Sequence, residues 1–132
     1  MHIRELMTVR PRTVKAGDTI VDAAKLMRGE DAGIAPVVDG RRLIGVITDR
    51  DIAVRVIASE KDPATTHVEE IASENLVTID PDQDLAEALR LMTQHHIRQL
   101  PVVEEDGTLI GMVRHDDVVR LAERPQLETI SE

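Results

Sequence analysis

Gly45, Thr48 and Asp51 are spaced three residues apart. These residue types at this spacing are suited to binding a sugar phosphate. Thr48 is expected where a strand runs into a helix, so that its hydroxyl and the free backbone N–H groups of the next turn can donate to a phosphate. Asp51 comes about one helical turn later and can face the same cleft. Its carboxylate can accept hydrogen bonds from vicinal ribose hydroxyls. Gly45 would lie beneath the binding site, where a side chain would obstruct the ligand. Together these features indicate a ribonucleotide as the ligand.

The same residues also have a simpler interpretation. In this interpretation, Thr48 and Asp51 cap the first turn of a helix and complement its dipole, and they contact no ligand. The residues alone leave both interpretations open. Asp49 is predicted to be the N-cap of this helix, which is expected to extend to about residue 58. Arg50 is a further candidate for a phosphate contact, although a lone arginine is also common on a solvated surface.

The elements that must position these residues occur twice in the chain. Residues 13–38 align with residues 78–103, and residues 43–51 align with residues 109–117, with one extra residue in the second loop. Identical residues recur in the same order, and they include Ala23/Ala88, Met27/Met92, Pro36/Pro101, Gly45/Gly111 and Asp51/Asp117.

Each copy is predicted to form a strand, a helix, two strands of a hairpin and a second helix, which defines an α/β (α+β) fold. Thr19 with Asp22, and Asp84 with Glu87, mark the starts of the two long helices. Gly29 and Gly33 are expected to help end the first one. A unit of this size cannot bury both faces of its sheet alone, so the copies are expected to pack by pseudo-two-fold symmetry.

The predicted boundaries follow the repeat. Residues 1–58 form the first repeat with an N-terminal lead-in, and residues 59–67, which are polar and contain a proline, form a linker. Residues 68–123 form the second repeat. Residues 124–132 are expected to be a mobile tail.

The segment Gly45-Val46-Ile47-Thr48-Asp49-Arg50-Asp51 resembles the G-h-x-[ST]-x-x-D signature of CBS (cystathionine-β-synthase) domains, in which h is hydrophobic. Ala35-Pro36-Val37-Val38 and Leu100-Pro101-Val102-Val103 match the strand with a leading proline that precedes this signature. The resemblance covers about residues 6–122. It implies a Bateman-type module of two CBS repeats, similar to bacterial stand-alone CBS pairs, with an adenine nucleotide in the cleft between the repeats.

The resemblance also implies roles for individual residues. Thr48 would contact the phosphate and Asp51 the ribose. The backbone near Ala35 and Pro36, together with Thr13 and Val14, would surround the base. With Arg50 added from its position, the first candidate site consists of Thr13, Val14, Ala35, Pro36, Thr48, Arg50 and Asp51.

The second copy departs from the signature, because Arg114 replaces the Ser/Thr while Asp117 is kept. Arg114 can pair with a phosphate, or it can close the pocket or form a salt bridge with a neighbouring aspartate; both interpretations stay open. Arg98 is a further phosphate candidate. The second candidate site consists of Thr78, Ile79, Arg98, Leu100, Pro101, Arg114 and Asp117.

The amino-acid composition excludes several classes of function. The chain has no cysteine and no aromatic residue, which excludes thiolate chemistry, Cys-based zinc sites and base-stacking platforms. A formal net charge of −9 opposes binding to nucleic acid, and no run of about 20 apolar residues indicates a membrane span. No catalytic or metal-ligating arrangement is evident. Composition and the lack of a catalytic motif predict a cytoplasmic, non-catalytic protein. The resemblance implies a regulatory module that needs no cofactor, binds an adenine nucleotide of the AMP, ADP or ATP type, forms a homodimer through its helices and meets an unidentified regulated protein. The alternatives are a structural dimerisation module without a ligand and a divalent-metal sensor.

Overall fold

A computed structural model describes residues 1–122. In chain order the elements are β1 (Thr8–Val9), β2 (Val14–Lys15), α1 (Ile20–Glu30), β3 (Ile34–Asp39), β4 (Arg42–Thr48), α2 (Asp49–Asp51), α3 (Leu85–His95), β5 (Gln99–Val103), β6 (Leu109–Arg114) and α4 (His115–Ala122). Short 3-10 helices cover Ile3–Glu5 and Val68–Glu70, and a π-helix over Ile52–Ile57 follows α2 directly. The predicted tail lies outside the described residues.

These residues form two compact units. The first-repeat unit is Arg12–Leu76, and the second-repeat unit is Met1–Pro11 together with the chain from Val77 onward. The mixed α+β fold with one strand-helix-hairpin-helix repeat in each unit is confirmed.

The first-repeat unit is built on a three-stranded sheet in the order β2-β3-β4. β2 runs parallel to β3, with Val14 opposite Val37, and β3 runs antiparallel to β4, with Ala35 opposite Ile47. The β3 sequence is a nearly continuous apolar run and is buried along most of its length, whereas β4 alternates between buried and partly buried residues. Its core consists of Val14, Ile20, Ala23, Leu26, Met27, Ala35, Val37, Ile47, Val56, Val68 and Ile71.

Helix α1 begins with the predicted capping box. The Thr19 hydroxyl oxygen accepts a hydrogen bond from the backbone N–H of Asp22 at 3.2 Å, and the Asp22 carboxylate accepts one from the N–H of Thr19 at 2.9 Å. The Thr19 backbone N–H is also the main reason that the pKa of the Asp22 carboxyl lies below its ordinary value. The predicted end of the helix is wrong, because Gly29 lies within it and the helix is terminated by Asp31 in the left-handed conformation, at φ 51°.

The second-repeat unit repeats this plan. Its sheet has the order β1-β6-β5, with Leu100 of β5 opposite Val113 of β6, and Ile79 pairs in parallel with Val102 as Val14 does with Val37. Helix α3 ends at His96, which is left-handed at φ 54° and occupies the position of Asp31 in the first repeat. Its core consists of Ile3, Ile79, Ala88, Met92, Leu100, Val102, Val113 and Val118.

The two lead-in segments are exchanged between the repeats. The N–H of Ile3 donates to the Gln83 carbonyl at 2.8 Å, and β1 pairs with β6, so the N-terminal lead-in completes the second-repeat unit. In the same way, the N–H of Val68 donates to the Asp18 carbonyl at 2.8 Å, which joins the second lead-in to the first-repeat unit. The predicted boundaries thus follow the sequence repeat, whereas the compact units cross it.

The predicted linker, residues 59–67, is bonded to α1. The Thr66 carbonyl accepts from the N–H of Ile20 at 3.0 Å, and the Pro63 carbonyl accepts from the N–H of Val21 at 3.2 Å. These bonds satisfy backbone donors in the first turn of α1 that would otherwise have no partner within the helix.

The structural role of Gly45, which its counterpart Gly111 shares, differs from the clearance for a ligand that is predicted for Gly45. Val46 and Ser73 exchange two backbone hydrogen bonds, and a Cβ on Gly45 would lie 3.1 Å from the Ser73 carbonyl oxygen. A Cβ on Gly111 would lie 3.0 Å from the Thr8 carbonyl oxygen and 2.6 Å from Met7 Sδ. Glycine at these positions therefore admits the lead-in segment against the sheet, and clearance for a ligand is not needed to explain it.

We expect Gly111→Ala to lower the free energy of unfolding by about 1–3 kcal/mol, because the added methyl group forces the lead-in away from β6. Gly17→Ala is the matched control, since a Cβ there meets nothing within 4 Å. Urea unfolding followed by circular dichroism measures both, and equal stability of the two variants would contradict the expectation.

Candidate nucleotide site

The Thr48 and Asp51 side chains face each other where β4 ends and the next helix begins. The Thr48 hydroxyl oxygen accepts from the backbone N–H of Asp51 at 3.0 Å, and Asp51 Oδ2 accepts from the N–H of Thr48 at 2.9 Å. Thr48 is thus the N-cap of the helix, and the prediction that Asp49 caps it is wrong. Asp49 instead accepts from the N–H of Arg50 through its Oδ1, at 2.8 Å.

This capping box leaves binding capacity unused. In the box the Thr48 oxygen acts as an acceptor, so its O–H remains a donor. Asp51 engages Oδ2 alone, and no other described residue donates to its Oδ1. Capping and ligand binding are therefore compatible for this pair, because they use different atoms.

Three other predicted residues of the first site, Val14, Ala35 and Pro36, lie on the three-stranded sheet whose strand β4 ends at Thr48. Ala35 and Pro36 are buried in β3, opposite Ile47 and Val46 of β4. The N–H of Asp49 donates to the Gly33 carbonyl at 2.9 Å and ties the start of the helix to the segment that precedes β3.

Val14 is buried in β2, whereas Thr13 just before it is exposed. Arg50 is exposed in the first turn after Thr48. Because the Val14 and Ala35 side chains are buried, any contact that these residues make with a base would be made by their backbone atoms.

The helix that is predicted to extend to about residue 58 is α-helical only as far as Asp51. Ile52–Ile57 forms a π-helix, held at its buried side by Val56 and by the Arg55 guanidinium, which donates to the Ile71 carbonyl. No feature of the sequence signals this widened turn. Segments of π-helix are rare and occur often at functional sites.

The second candidate site shares a backbone hydrogen bond with the first, but several of its side chains differ. The N–H of His115 donates to the Arg98 carbonyl at 2.8 Å, as the N–H of Asp49 does to Gly33. Arg114 stands where Thr48 stands in the first repeat. Asp117, the counterpart of Asp51, accepts from Arg120 Nη2 at 2.9 Å.

The apolar residues of the second site are placed like those of the first. Leu100 and Pro101 are buried in β5, and Ile79 is buried beside them. The N–H of Ile79 donates to the Pro101 carbonyl at 3.0 Å, while Thr78 is half-buried.

A small polar cavity of about 40 Å³ lies at the second site. It is lined by Arg98, Gln99, Arg114, His115 and Asp116. Asp116 Oδ1 lies 3.2 Å from Arg98 Nη2 and 4.0 Å from His115 Nδ1, so one carboxylate oxygen stands between two basic side chains.

Residues 1–122 show neither a cluster of metal-ligating side chains nor a membrane-spanning helix. These residues contain no group of three or more His, Cys, Asp or Glu side chains that could hold a metal ion. None of their helices has the length and apolar character needed to cross a bilayer.

A model of the CBS domain family matches the chain twice, over residues 3–58 and 68–124. The chain therefore belongs to the CBS domain family, and the resemblance noted in its sequence is confirmed.

Among curated proteins, the CBS domain-containing protein YhcV of Bacillus subtilis is 40% identical over 116 residues, which are 88% of this chain and 81% of that protein. Hypoxic response protein 1 of Mycobacterium tuberculosis is 34% identical over 118 residues, 89% of this chain and 82% of that protein.

Solved CBS structures share the fold and hold different ligands. A crystal structure of Hypoxic Response Protein I with two coordinated zinc ions has a TM-score of 0.83 at 33% identity and covers 91% of this chain and 98% of that one. CBSX2 in complex with AMP has a TM-score of 0.80 at 27% identity and covers 95% of this chain and 98% of that one. The CBS pair of MJ0100 has a TM-score of 0.82 at 26% identity and covers 95% of this chain and 98% of that one. That structure is a complex with 5'-methylthioadenosine and S-adenosyl-L-methionine.

The capping box generates a stability prediction. Thr48→Ala removes the hydroxyl that accepts from the Asp51 N–H and should lower the free energy of unfolding by about 1 kcal/mol. Thr48→Ser keeps an equivalent acceptor and should stay close to the parent protein. Denaturant unfolding compares the two, and a serine variant as unstable as the alanine variant would show that the cap is not the stabilising contact.

Proposed function

We propose that this chain is a cytoplasmic, non-catalytic regulatory module whose first-repeat unit binds an adenine nucleotide through Thr48 and Asp51. The observation that carries the proposal is the unused capacity of their capping box, one hydroxyl donor and one carboxylate oxygen at the end of β4. A hydroxyl suits a phosphate oxygen, and a carboxylate suits the vicinal hydroxyls of ribose.

The similar structures support an adenosine-type ligand. CBSX2 holds AMP, and the MJ0100 pair holds two adenosine derivatives. The chain has no aromatic side chain on which a base could stack. We therefore assign the base to the backbone of Ala35, Pro36 and Val14 and to the exposed Thr13, with Arg50 near the phosphate.

Asp51→Asn is the sharpest test of the ribose contact. The asparagine oxygen can still accept from the Thr48 N–H, so the cap is kept, but the negative charge that strengthens a bond from a ribose hydroxyl is lost. We expect AMP and ATP to bind roughly tenfold more weakly, in line with the loss of one charge-assisted hydrogen bond. Isothermal titration calorimetry measures the change.

Asp22→Asn is the matched control, because Asp22 closes the same type of capping box on α1. It should leave nucleotide affinity unchanged. Asp51→Asn binding as tightly as Asp22→Asn would remove Asp51 from the site, and no heat from any adenine nucleotide at millimolar concentration would overturn the proposal.

We further propose that the output is an association, as a homodimer or with a regulated partner protein. Helix α1 and the π-helix of the first-repeat unit border a groove of about 410 Å³. Its lining is mostly apolar and consists of Ile20, Val21, Ala24, Lys25, Arg28, Ile52, Ile57 and Pro63. A ligand can shift such an association only through different affinities for the associated and free states.

The same groove favours a second candidate function, a structural dimerisation module that ignores nucleotides. Ile57 is 57% exposed and borders this mostly apolar groove, and a contiguous exposed apolar patch is typical of a protein–protein contact surface. Dimerisation that is unaffected by every adenine nucleotide would support this alternative over regulation.

Ile57→Glu tests the association surface. A charge in the apolar groove should convert the dimer largely to monomer, because association would bury an unpaired carboxylate. Val9→Glu places the same charge on a residue that is 60% exposed in β1 and should not change the oligomeric state. Sedimentation velocity with interference optics suits a chain without aromatic residues, and a dimer that persists in Ile57→Glu would exclude this face.

A further inference from the structure

The two repeats present different charges at equivalent backbone positions. Gly33 in the first repeat corresponds to Arg98 in the second, since each carbonyl accepts the same backbone bond from the helix start. Thr48 corresponds to Arg114. The second repeat therefore has two guanidinium groups where the first has a hydrogen atom and a hydroxyl.

These basic groups converge on one small cavity. Arg98, Arg114 and His115 all line the polar cavity of about 40 Å³. The acidic residue among them is Asp116, whose Oδ1 lies 3.2 Å from Arg98 Nη2 and 4.0 Å from His115 Nδ1. A carboxylate oxygen thus occupies a position that suits the oxygen of an anionic ligand.

The contact that holds Asp116 there is weak enough to exchange. Its side chain is 79% exposed, and an ion pair in contact with solvent contributes little. Guanidinium groups bind carboxylates and phosphates with the same donor geometry. A terminal phosphate carries about −1.5 to −2 charge at neutral pH, against −1 for a carboxylate. A phosphate therefore has the advantage in a competition for Arg98.

We propose that Asp116 is a built-in competitor for the ligand phosphate at the second-repeat site, so that this site selects ligands with a highly charged terminal phosphate. The inference rests on the proposed nucleotide-binding function and assigns it a specificity determinant. A di- or triphosphate displaces the carboxylate from Arg98, whereas an uncharged nucleoside cannot.

The test compares Asp116→Asn with the parent protein, with pyrophosphate, ADP and adenosine as separate probes. Loss of the competing carboxylate should raise the affinity for pyrophosphate and ADP by roughly two- to fivefold, the range expected for an exposed ion pair. Affinity for adenosine should not change. Calorimetric titration measures all three.

Asp82→Asn is the matched control. Asp82 is 71% exposed and pairs with Arg4 at 3.5 Å in the same unit, so the variant removes the same charge from a similar pair outside the cavity. It should bind each probe like the parent protein. In an Arg98→Gln background, Asp116→Asn should give no gain, because the group over which the two anions compete is absent.

The outcomes separate the two proposals. A gain with pyrophosphate while no nucleotide binds keeps the competing carboxylate and overturns the proposed ligand. Nucleotide binding to the parent protein with no gain in Asp116→Asn keeps the proposed function and overturns the inference. An equal gain in Asp82→Asn also overturns it, since the effect would then be one of net charge. A gain for uncharged adenosine overturns it as well, since the effect would then not depend on a phosphate. If Arg98→Gln does not fold, by circular dichroism, the two aspartate variants alone decide.

Discussion

The close approach of each lead-in segment to a sheet strand is the constraint on which both units depend. In the first-repeat unit Ser73 bonds to Val46 through both backbone groups, and in the second-repeat unit β1 pairs with β6. Both contacts require a glycine on the facing strand, because a Cβ would lie about 3 Å from a backbone oxygen. The strands that carry these glycines, β4 and β6, are also those that end at Thr48 and Arg114. The contact that completes the sheet therefore also fixes the position from which the candidate ligand residues project.

Local chemistry explains which features the sequence could predict. The capping box of Thr19 and Asp22, the two hairpins and the repeat depend on residues close in the chain or on a constant offset, and all appear in the structure. The exchange of lead-ins is a long-range pairing, and periodicity carries no information about it. The sequence does carry a signal for the lead-ins themselves, since Glu5 and Glu70 each accept from a backbone N–H three residues earlier, at His2 and His67, and these pairs share the offset of the repeat. That signal marks a lead-in before each repeat and does not show which unit it joins.

Other differences arise where two residues compete for one role. Thr48 and Asp49 can both cap a helix, and the extended backbone at Thr48, the last residue of β4, decides in favour of threonine. Helices α1 and α3 end at Asp31 and His96, although the sequence offers glycines near the end of α1. A polar residue can adopt the left-handed conformation at modest cost when backbone bonds hold it there. The N–H of Ala32 donates to the Met27 carbonyl at 3.0 Å and provides such a bond.

The first-repeat unit joins the candidate site to the apolar groove by a short path. Asp51 ends α2, the π-helix follows without a break, and its last residue, Ile57, lines the groove. Asp51 is already held by the Thr48 backbone, so a ligand meets a preformed carboxylate and loses little free energy in ordering it. Rigidity at Asp51 alone cannot alter association, however, because a ligand changes an equilibrium only if two states bind it differently. The π-helix is the element between the two surfaces whose hydrogen bonding departs from the regular α-helical pattern, and this makes it the segment of the path best suited to adopt a second arrangement.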